Sequence, residues 1–364
     1  MRLPILPAAV LASCALAALT TLGPPPLLAQ SPSAQKASEP LSAAQRREVV
    51  EAVASAYADS YVFEATGRRI AQHLRRQLAG RRFETTTDPA ALAAALTREI
   101  RSVEPDEHIE VVPPSPQSPA AAPPQASRAE QFSWVERLRK RNYDFIRVER
   151  LPGNIGYLRL DSFPPPEIAG ATAAAAMAFL QNSDAVIVDL RENGGGTGDM
   201  VQLLASYFFV ERTALLETFR RASNPQTTID YTLGAITGQR MPAVELYVLT
   251  STRTFSAAEA FAFALQQRGR ASVVGERTRG GGNAGRYRQM PHGFRAFVPM
   301  AHPISPVSRR SWDRTGVQPD IVSTAAQALT AAHRRALEQL LERATDSRSR
   351  EQLQRALAEL PPAA

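Results

Sequence analysis

The chain has 364 residues, of which 44% are hydrophobic, 21% charged and 7% aromatic, a composition that excludes wholesale disorder. Its length exceeds what one compact core usually organises, so we expect a small and a large domain. The net charge of +7 comes from 42 basic and 35 acidic residues spread along the chain, which favours a solvated surface over a nucleic-acid groove.

Residues 1–29 are predicted to form an export signal. Arg2 precedes an apolar stretch at 3–22, and the small residue Ala29 precedes polar sequence. Prolines interrupt the apolar stretch, so a retained transmembrane span is not expected. The tetrapeptide that ends at Cys14 also resembles a lipoprotein box, but apolar residues continue beyond it. We expect a periplasmic or secreted protein, with a lipoprotein anchored to the membrane through Cys14 as the alternative.

Two residue types are scarce enough to restrict the chemistry. Cys14 is the only cysteine, so the mature chain is expected to have no disulfide and no thiolate metal site. Lys36 and Lys140 are the only lysines, so a mechanism that needs a lysine must use one of these two.

A small helical domain is predicted before the main one. Residues 30–40 are polar and form a linker, and residues 41–112 contain three helical patterns. A capping box opens the first helix, the second runs near 66–78, and the third begins after Asp88, where proline follows the cap. The segment 113–128 is rich in Pro, Ala, Ser and Gln and predicts a flexible linker.

Residues 129–345 are predicted to form an α/β domain with a mostly parallel central sheet, followed by a helical tail at 346–364. Short apolar runs alternate with helical segments, which is typical of βα units. The predicted strands are 155–160, 185–190, 246–250 and 272–275, and the predicted helices are 168–180, 199–209 and 257–267. A site is expected where the strands end, at their carboxyl ends.

Two loops at such strand ends carry candidate chemistry. The first contains Gly194, Gly195 and Gly196, whose N–H groups can line a concavity for an oxyanion, although a plain glycine turn fits equally well. The second presents Ser256 before a helix, where a nucleophile would be exposed beside free amides. With Glu259, the same serine also fits a capping box, so a purely structural role stays open.

A nucleophilic serine needs a base, and histidine is the obvious candidate. The chain has five histidines, at positions 73, 108, 292, 302 and 333. Two lie within predicted amphipathic helices, whereas His292 and His302 flank a predicted strand and His108 lies at the domain junction. Spacing alone does not choose among these.

Five short motifs follow one another along the α/β domain. They are Leu151-Pro-Gly-Asn-Ile-Gly-Tyr-Leu158, Asp189-Leu-Arg-Glu-Asn-Gly-Gly-Gly196, Thr254-Phe-Ser-Ala-Ala-Glu259, Val274-Gly-Glu-Arg-Thr278 and Gly316-Val-Gln-Pro-Asp-Ile321. In this order they resemble the tail-specific, or carboxyl-terminal-processing, serine peptidase family. The resemblance covers about residues 41–330 and is to the interphotoreceptor retinoid-binding-protein-like branch, which implies a tricorn-like core of ClpP/crotonase-like α/β fold.

The resemblance implies a role for each part of the site. Ser256 would be the nucleophile, and the amides of Gly195 and Ala257 would form the oxyanion hole, with Glu259 in a supporting position. Many family members use a lysine as base, but Gly281 stands at that position here.

Members of this branch often use a histidine and an acid instead of the lysine. His108 and Asp313 match those two positions. Glu107 stands where the family usually has glycine, and Asp313 where it usually has glutamate, so a shorter side chain must do the orienting work.

We therefore expect an exported serine endopeptidase that acts on extended or carboxyl-terminal segments of peptide or protein substrates. The resemblance implies no metal, no organic cofactor and no separate PDZ-like module, and the sequence implies no particular oligomeric state. The competing interpretation is a catalytically inactive binding protein for an apolar small molecule, because a fold does not fix its function.

Overall fold

The computed structural model describes residues 39–114, 128–221 and 225–361, which belong to one compact unit beginning at Glu39. The predicted leader 1–29, with Cys14, lies outside the described residues, as do most of the polar segment 30–40, with Lys36, and most of the linker 113–128. Within the described ranges, no helix has both the length and the apolar character needed to cross a membrane.

Two helices of the N-terminal region begin where the sequence places their caps. Ser42 Oγ accepts from the N–H of Gln45 at 3.2 Å, and Gln45 Oε1 accepts from the N–H of Ser42 at 2.8 Å. Asp88 accepts from the N–H of Ala91 at 2.7 Å. The described helices are α1 (Ala43–Ser60), α2 (Glu64–Ala79), α3 (Pro89–Val103), α4 (Arg128–Lys140), α5 (Pro166–Leu180), α6 (Gly198–Ser206), α7 (Ala257–Gln267), α8 (Ala328–Arg343) and α9 (Ser347–Glu359).

The strands divide into two sheets. They are β1 (Glu110–Val112), β2 (Phe145–Leu151), β3 (Ile155–Leu160), β4 (Ala185–Asp189), β5 (Ala214–Arg220), β6 (Gln226–Tyr231), β7 (Glu245–Thr250), β8 (Ser272–Gly275), β9 (Ala284–Gln289), β10 (Arg295–Ile304) and β11 (Ile321–Val322). The larger sheet has the order β11-β8-β7-β4-β3-β2 and is parallel except for β2. This confirms the predicted α/β class and its mostly parallel sheet.

The larger sheet is covered on both faces. Val186 and Val188 of β4 pack with α5, α6 and α7, whereas Ile187 faces the other way and packs with α8 and α9. All five residues of β4 are buried. Burial on both faces explains why its sequence is a continuous apolar run and not an alternating one.

A second sheet, entirely antiparallel, was not expected from the sequence. Its order is β1-β10-β5-β6, and β9 also pairs with β10. Strand β9 is mostly exposed and carries Arg286 and Arg288, so it lacks the apolar pattern that reveals a strand.

The antiparallel sheet joins the N-terminal helices to the rest of the unit. Apolar faces of α1, α2 and α3 share one core cluster with Phe294, Ala296 and Val298. The Tyr57 hydroxyl donates to the carbonyl oxygen of Phe297 at 2.7 Å. This packing brings the segment after α3 close to the loops that leave the larger sheet.

Candidate active site

Two loops meet at the carboxyl ends of the neighbouring parallel strands β4 and β7. The Thr254 hydroxyl donates to the carbonyl oxygen of Leu190 at 2.8 Å, and the N–H of Phe255 donates to the carbonyl oxygen of Asn193 at 3.0 Å. These bonds hold the glycine-rich loop against the segment that carries Ser256.

Gly195 contacts the candidate nucleophile so closely that only glycine fits. Its φ is +106°, and a Cβ added to it would lie 2.8 Å from Ser256 Cβ and 3.2 Å from the amide nitrogen of Ala257. The Gly195 N–H donates to Asn193 Oδ1 at 2.9 Å. Among the described residues, the Ala257 N–H makes no hydrogen bond. One of the two candidate oxyanion donors is thus free, and the other is bonded within its own loop.

Ser256 is partly buried and lies in a strained turn immediately before α7. Its φ of 55° and ψ of −117° are rare for a residue with a side chain. Such strain costs on the order of 1–3 kcal/mol and is concentrated at functional sites. The turn places the serine at a helix N-terminus, where backbone amides favour negative charge.

Glu259 fixes the position of this turn relative to a third loop. Its side chain is fully buried, and one carboxylate oxygen accepts from the N–H groups of Ser256 and Gly281, both at 2.8 Å. The other oxygen accepts from the N–H of Gly280 at 2.7 Å and from the hydroxyl of Thr278 at 2.5 Å. Burial raises the pKa of Glu259 above its usual range, and the four donors oppose that rise.

The third loop follows β8, and its glycines leave room for aromatic rings. A Cβ added to Gly281 would lie 2.1 Å from Phe255 Cε2 and 2.7 Å from His108 Cε1. The imidazole of His108 lies between the rings of Phe255 and Phe297, with centroid distances of 4.4 and 5.5 Å. The position that the resemblance would give to a lysine is therefore occupied by this ring pair.

His108 is enclosed in the described structure. Both of its ring nitrogens are buried and make no hydrogen bond with any described residue. Asp106 Oδ1 lies 3.7 Å from His108 Nδ1. Glu107 forms an ion pair with Arg279 at 3.0 Å, and the Arg279 guanidinium lies 4.6 Å from the centroid of the Phe255 ring.

Asp313 lies in a buried polar network that also includes Asp106, the carboxylate nearest His108. Its carboxylate accepts from the N–H of Gly282 at 3.1 Å and from the side-chain amide of Asn283 at 3.1 Å. Burial, reinforced by the Asp106 carboxylate, raises the pKa of Asp313 from 3.8 to about 6. Sequence reasoning missed Asn283, since an asparagine after a glycine run has no distinctive spacing.

The other histidines are engaged elsewhere. Each bonds to a different partner: His73 to Glu99 at 2.8 Å, His292 to Glu48 at 2.7 Å, His302 to Asn283 at 2.7 Å, and His333 to the carbonyl oxygen of Pro152 at 2.8 Å. Of the five, only His108 lies against Phe255, the residue before Ser256.

A groove of about 660 Å³ lies beside His108, between α3, β1 and the ring of Phe255. Its lining includes Arg98, Arg101, Arg279, Glu107 and Glu110. Within the described part of the chain, no group of three or more acidic, histidine or cysteine side chains is arranged to hold a metal ion.

Two matches to known sequence families together cover most of the chain. Residues 154–323 match the sequence family described as peptidase family S41. Residues 40–140 match the domain described as the N-terminal domain of peptidase S41 in eukaryotic IRBP. The chain belongs to peptidase family S41. This confirms the family that the five motifs indicate.

Curated relatives of this S41 chain are named for carboxyl-terminal processing. A carboxyl-terminal-processing protease of Picosynechococcus is 30% identical over 176 residues, which cover 46% of this chain and 39% of the relative. The chloroplastic carboxyl-terminal-processing peptidase 3 of Arabidopsis thaliana is 30% identical over 171 residues, covering 46% of this chain and 31% of the relative. The chain thus matches well under half the length of each.

Solved structures share the fold over most of this S41 chain. A candidate peptidase from Parabacteroides merdae superposes with a TM-score of 0.52 at 19% identity, covering 77% of this chain and 90% of that one. A lipoprotein from Streptococcus agalactiae superposes with a TM-score of 0.53 at 15% identity, covering 81% and 96%. At these identities the likeness concerns the fold.

Proposed function

We propose that this S41 chain is a serine endopeptidase that cleaves extended or carboxyl-terminal segments of peptides and proteins. Its family membership and the names of its relatives support a peptidase. The apolar leader in the sequence supports an exported enzyme, released by cleavage near Ala29 or retained by a lipid on Cys14.

In the proposed reaction, Ser256 Oγ attacks the scissile carbonyl carbon while His108 accepts the hydroxyl proton. The tetrahedral intermediate then collapses, and His108 returns the proton to the leaving amine. The Ala257 N–H is free to stabilise the oxyanion. The Gly195 N–H can join it by exchanging Asn193 Oδ1 for the substrate oxygen. A water molecule hydrolyses the acyl-enzyme by the same steps.

One observation carries the choice of base. Gly281 has no side chain, and the His108 ring lies 2.7 Å from where its Cβ would stand. The imidazole therefore occupies space beside the position that family resemblance gives to a lysine. The exposed position of Lys140 at the end of α4 supports the same choice.

Catalysis requires the His108 ring to be uncovered. Its nitrogens are buried here, and Phe255 lies against the ring. We propose that a substrate in the adjoining groove displaces Phe255, so that the ring reaches Ser256 Oγ. Catalytic hydrogen bonds that are long or absent in a free enzyme commonly form only in the substrate complex.

The test is covalent labelling by a fluorophosphonate probe together with hydrolysis of an unstructured fluorogenic peptide. Wild type should label and hydrolyse, Ser256→Ala should do neither, and His108→Ala should lose about 10³-fold or more in hydrolysis. Ser347→Ala, which removes an exposed serine at the start of α9, is the matched control and should behave as wild type.

A double Lys36→Arg/Lys140→Arg variant tests the base separately. It should keep full activity if histidine is the base. A folded wild type that neither labels nor hydrolyses would refute the peptidase and favour the inactive binding protein, whereas loss of activity in the double lysine variant would refute only the assignment of His108.

A further inference from the structure

We propose that Asp106 is the positioning carboxylate for His108 and that Asn283 couples it to Asp313. This inference rests on the proposed function, because it takes His108 as the base. It differs from the sequence expectation, in which Asp313 orients the histidine directly.

Asp106 is the carboxylate that faces the imidazole. Its side chain is fully buried, and its Oδ1 accepts from the backbone N–H of His108 at 2.9 Å and lies 3.7 Å from His108 Nδ1. No other carboxylate of the described residues makes an ion-pair contact with His108. A carboxylate in this position favours a proton on Nδ1 and leaves Nε2 to accept the serine proton.

Asn283 connects the two aspartates. Its side-chain nitrogen donates to Asp106 Oδ2 at 2.9 Å and to Asp313 Oδ2 at 3.1 Å. Its Oδ1 bonds to His302 Nδ1 at 2.7 Å, which fixes the orientation of the amide. Asn283 is itself fully buried, so each of its donors is committed to one carboxylate. Asp313 thereby acts on His108 through Asn283 and Asp106.

Several other charged side chains around His108 have partners of their own. Glu107 and Arg279 form an ion pair, and Arg101 donates to the carbonyl oxygens of Ile109 and Glu107. Arg314 forms two ion pairs, from Nη1 to Glu104 Oε1 at 3.3 Å and from Nε to Asp313 Oδ2 at 3.7 Å. In the groove, Glu110 accepts from the Tyr287 hydroxyl at 2.7 Å. Asp106 is therefore the negative charge best placed to stabilise the imidazolium that forms when Ser256 loses its proton.

The test is the pH dependence of peptide hydrolysis by Asp106→Asn. This variant keeps the shape of the side chain but removes its charge. Its kcat should fall by about 100-fold or more, as for other enzymes that lose an orienting carboxylate. The acidic limb of its pH–rate profile should move to lower pH, because the imidazolium has lost its stabilising anion. A purely structural role would leave that limb in place.

Glu104→Gln is the matched control. Glu104 is another buried carboxylate of the same segment, but it contacts Arg314 and not His108. It should leave the acidic limb where wild type has it. The proposal is overturned if Asp106→Asn shows the wild-type limb, or if Asp313→Asn moves the limb further than Asp106→Asn does.

A measurement on the full wild-type chain decides the matter if Asp106→Asn does not fold. The ¹⁵N chemical shifts of neutral His108 distinguish its tautomers. A proton on Nδ1 supports the proposal and a proton on Nε2 overturns it. A wild type that hydrolyses peptide, loses activity in His108→Ala and keeps it in Asp106→Asn would leave the proposed function standing and remove only the role of Asp106.

Discussion

Replacing Glu259 with glutamine tests how the active-site turn is held. Glutamine has the shape of glutamate but replaces one acceptor oxygen with an NH₂ donor. In the less costly orientation, that NH₂ faces Gly280 and Thr278. The threonine hydroxyl can rotate to accept, but the Gly280 N–H cannot. The opposite orientation would place the NH₂ against two backbone N–H groups.

The size of the effect follows from this geometry. The variant loses at least one hydrogen bond to a charged acceptor and leaves one buried donor unpaired, and neutralising a buried carboxylate recovers part of that loss. We expect the free energy of unfolding to fall by about 2–4 kcal/mol. Hydrolysis should fall more than stability alone requires, because Gly280 loses its acceptor and the N–H groups of Ser256 and Gly281 keep only a neutral amide oxygen in place of a carboxylate.

Urea unfolding at pH 7 measures the stability, and peptide hydrolysis under fully folded conditions measures the activity. Glu338→Gln on α8, whose side chain is 44% exposed, is the control and should change the unfolding free energy by less than about 0.5 kcal/mol. If Glu259→Gln unfolds within that same margin of wild type, then the four contacts do not hold the turn and the reasoning is wrong.

Two further predictions concern neighbouring residues. Gly281→Ala should lower hydrolysis at least about tenfold, because its Cβ would lie 2.7 Å from His108 Cε1 and displace the imidazole itself. Gly194→Ala, where nothing lies within 4 Å, should leave hydrolysis unchanged, and equal activity of the two variants would contradict this account. The pKa of Asp313 is about 6 in the folded state, against an ordinary value of 3.8. Its ionised form therefore destabilises the folded state, and wild type loses stability as the pH rises from about 4 to above 6. Urea unfolding between pH 4 and 7 should show Asp313→Asn gaining up to about 3 kcal/mol relative to wild type, and a constant difference would contradict the buried-carboxylate argument.

The sequence could predict the elements whose patterns arise from burial or capping. Strand β4 is buried on both faces and is therefore continuously apolar, and α1 begins at a reciprocal side-chain cap. Strand β9 could not be predicted, because it is mostly exposed and lacks the apolar pattern of a buried strand. The strand predicted between His292 and His302 corresponds to β10, but its antiparallel partners were not predicted.

The candidate site shows the same division. Ser256 and Glu259 are three residues apart, and the sequence identifies both. It allows two interpretations of the pair, a capping box or a nucleophile with a supporting carboxylate. In the structure, Glu259 accepts from the Ser256 backbone while the turn keeps a positive φ, so one local pattern serves both interpretations. The bond between Asn283 and Asp106 joins residues 177 positions apart, and no local pattern indicates it.

The assembly of the site across the chain has a consequence for the cell that makes this protein. Asp106 and His108 precede Ser256 in the chain, and Asp313 follows it. The third loop is held by a residue that comes later still, since the Thr278 hydroxyl accepts from the N–H of Val317 at 2.7 Å. A chain leaves the ribosome or a translocation channel with its amino terminus first. The base His108 therefore emerges before the nucleophile Ser256, and Asp313 emerges last of the three. Under the proposed mechanism, such a chain acquires hydrolytic activity only when almost all of it has emerged and folded, so incomplete chains are harmless to the compartment in which they are made.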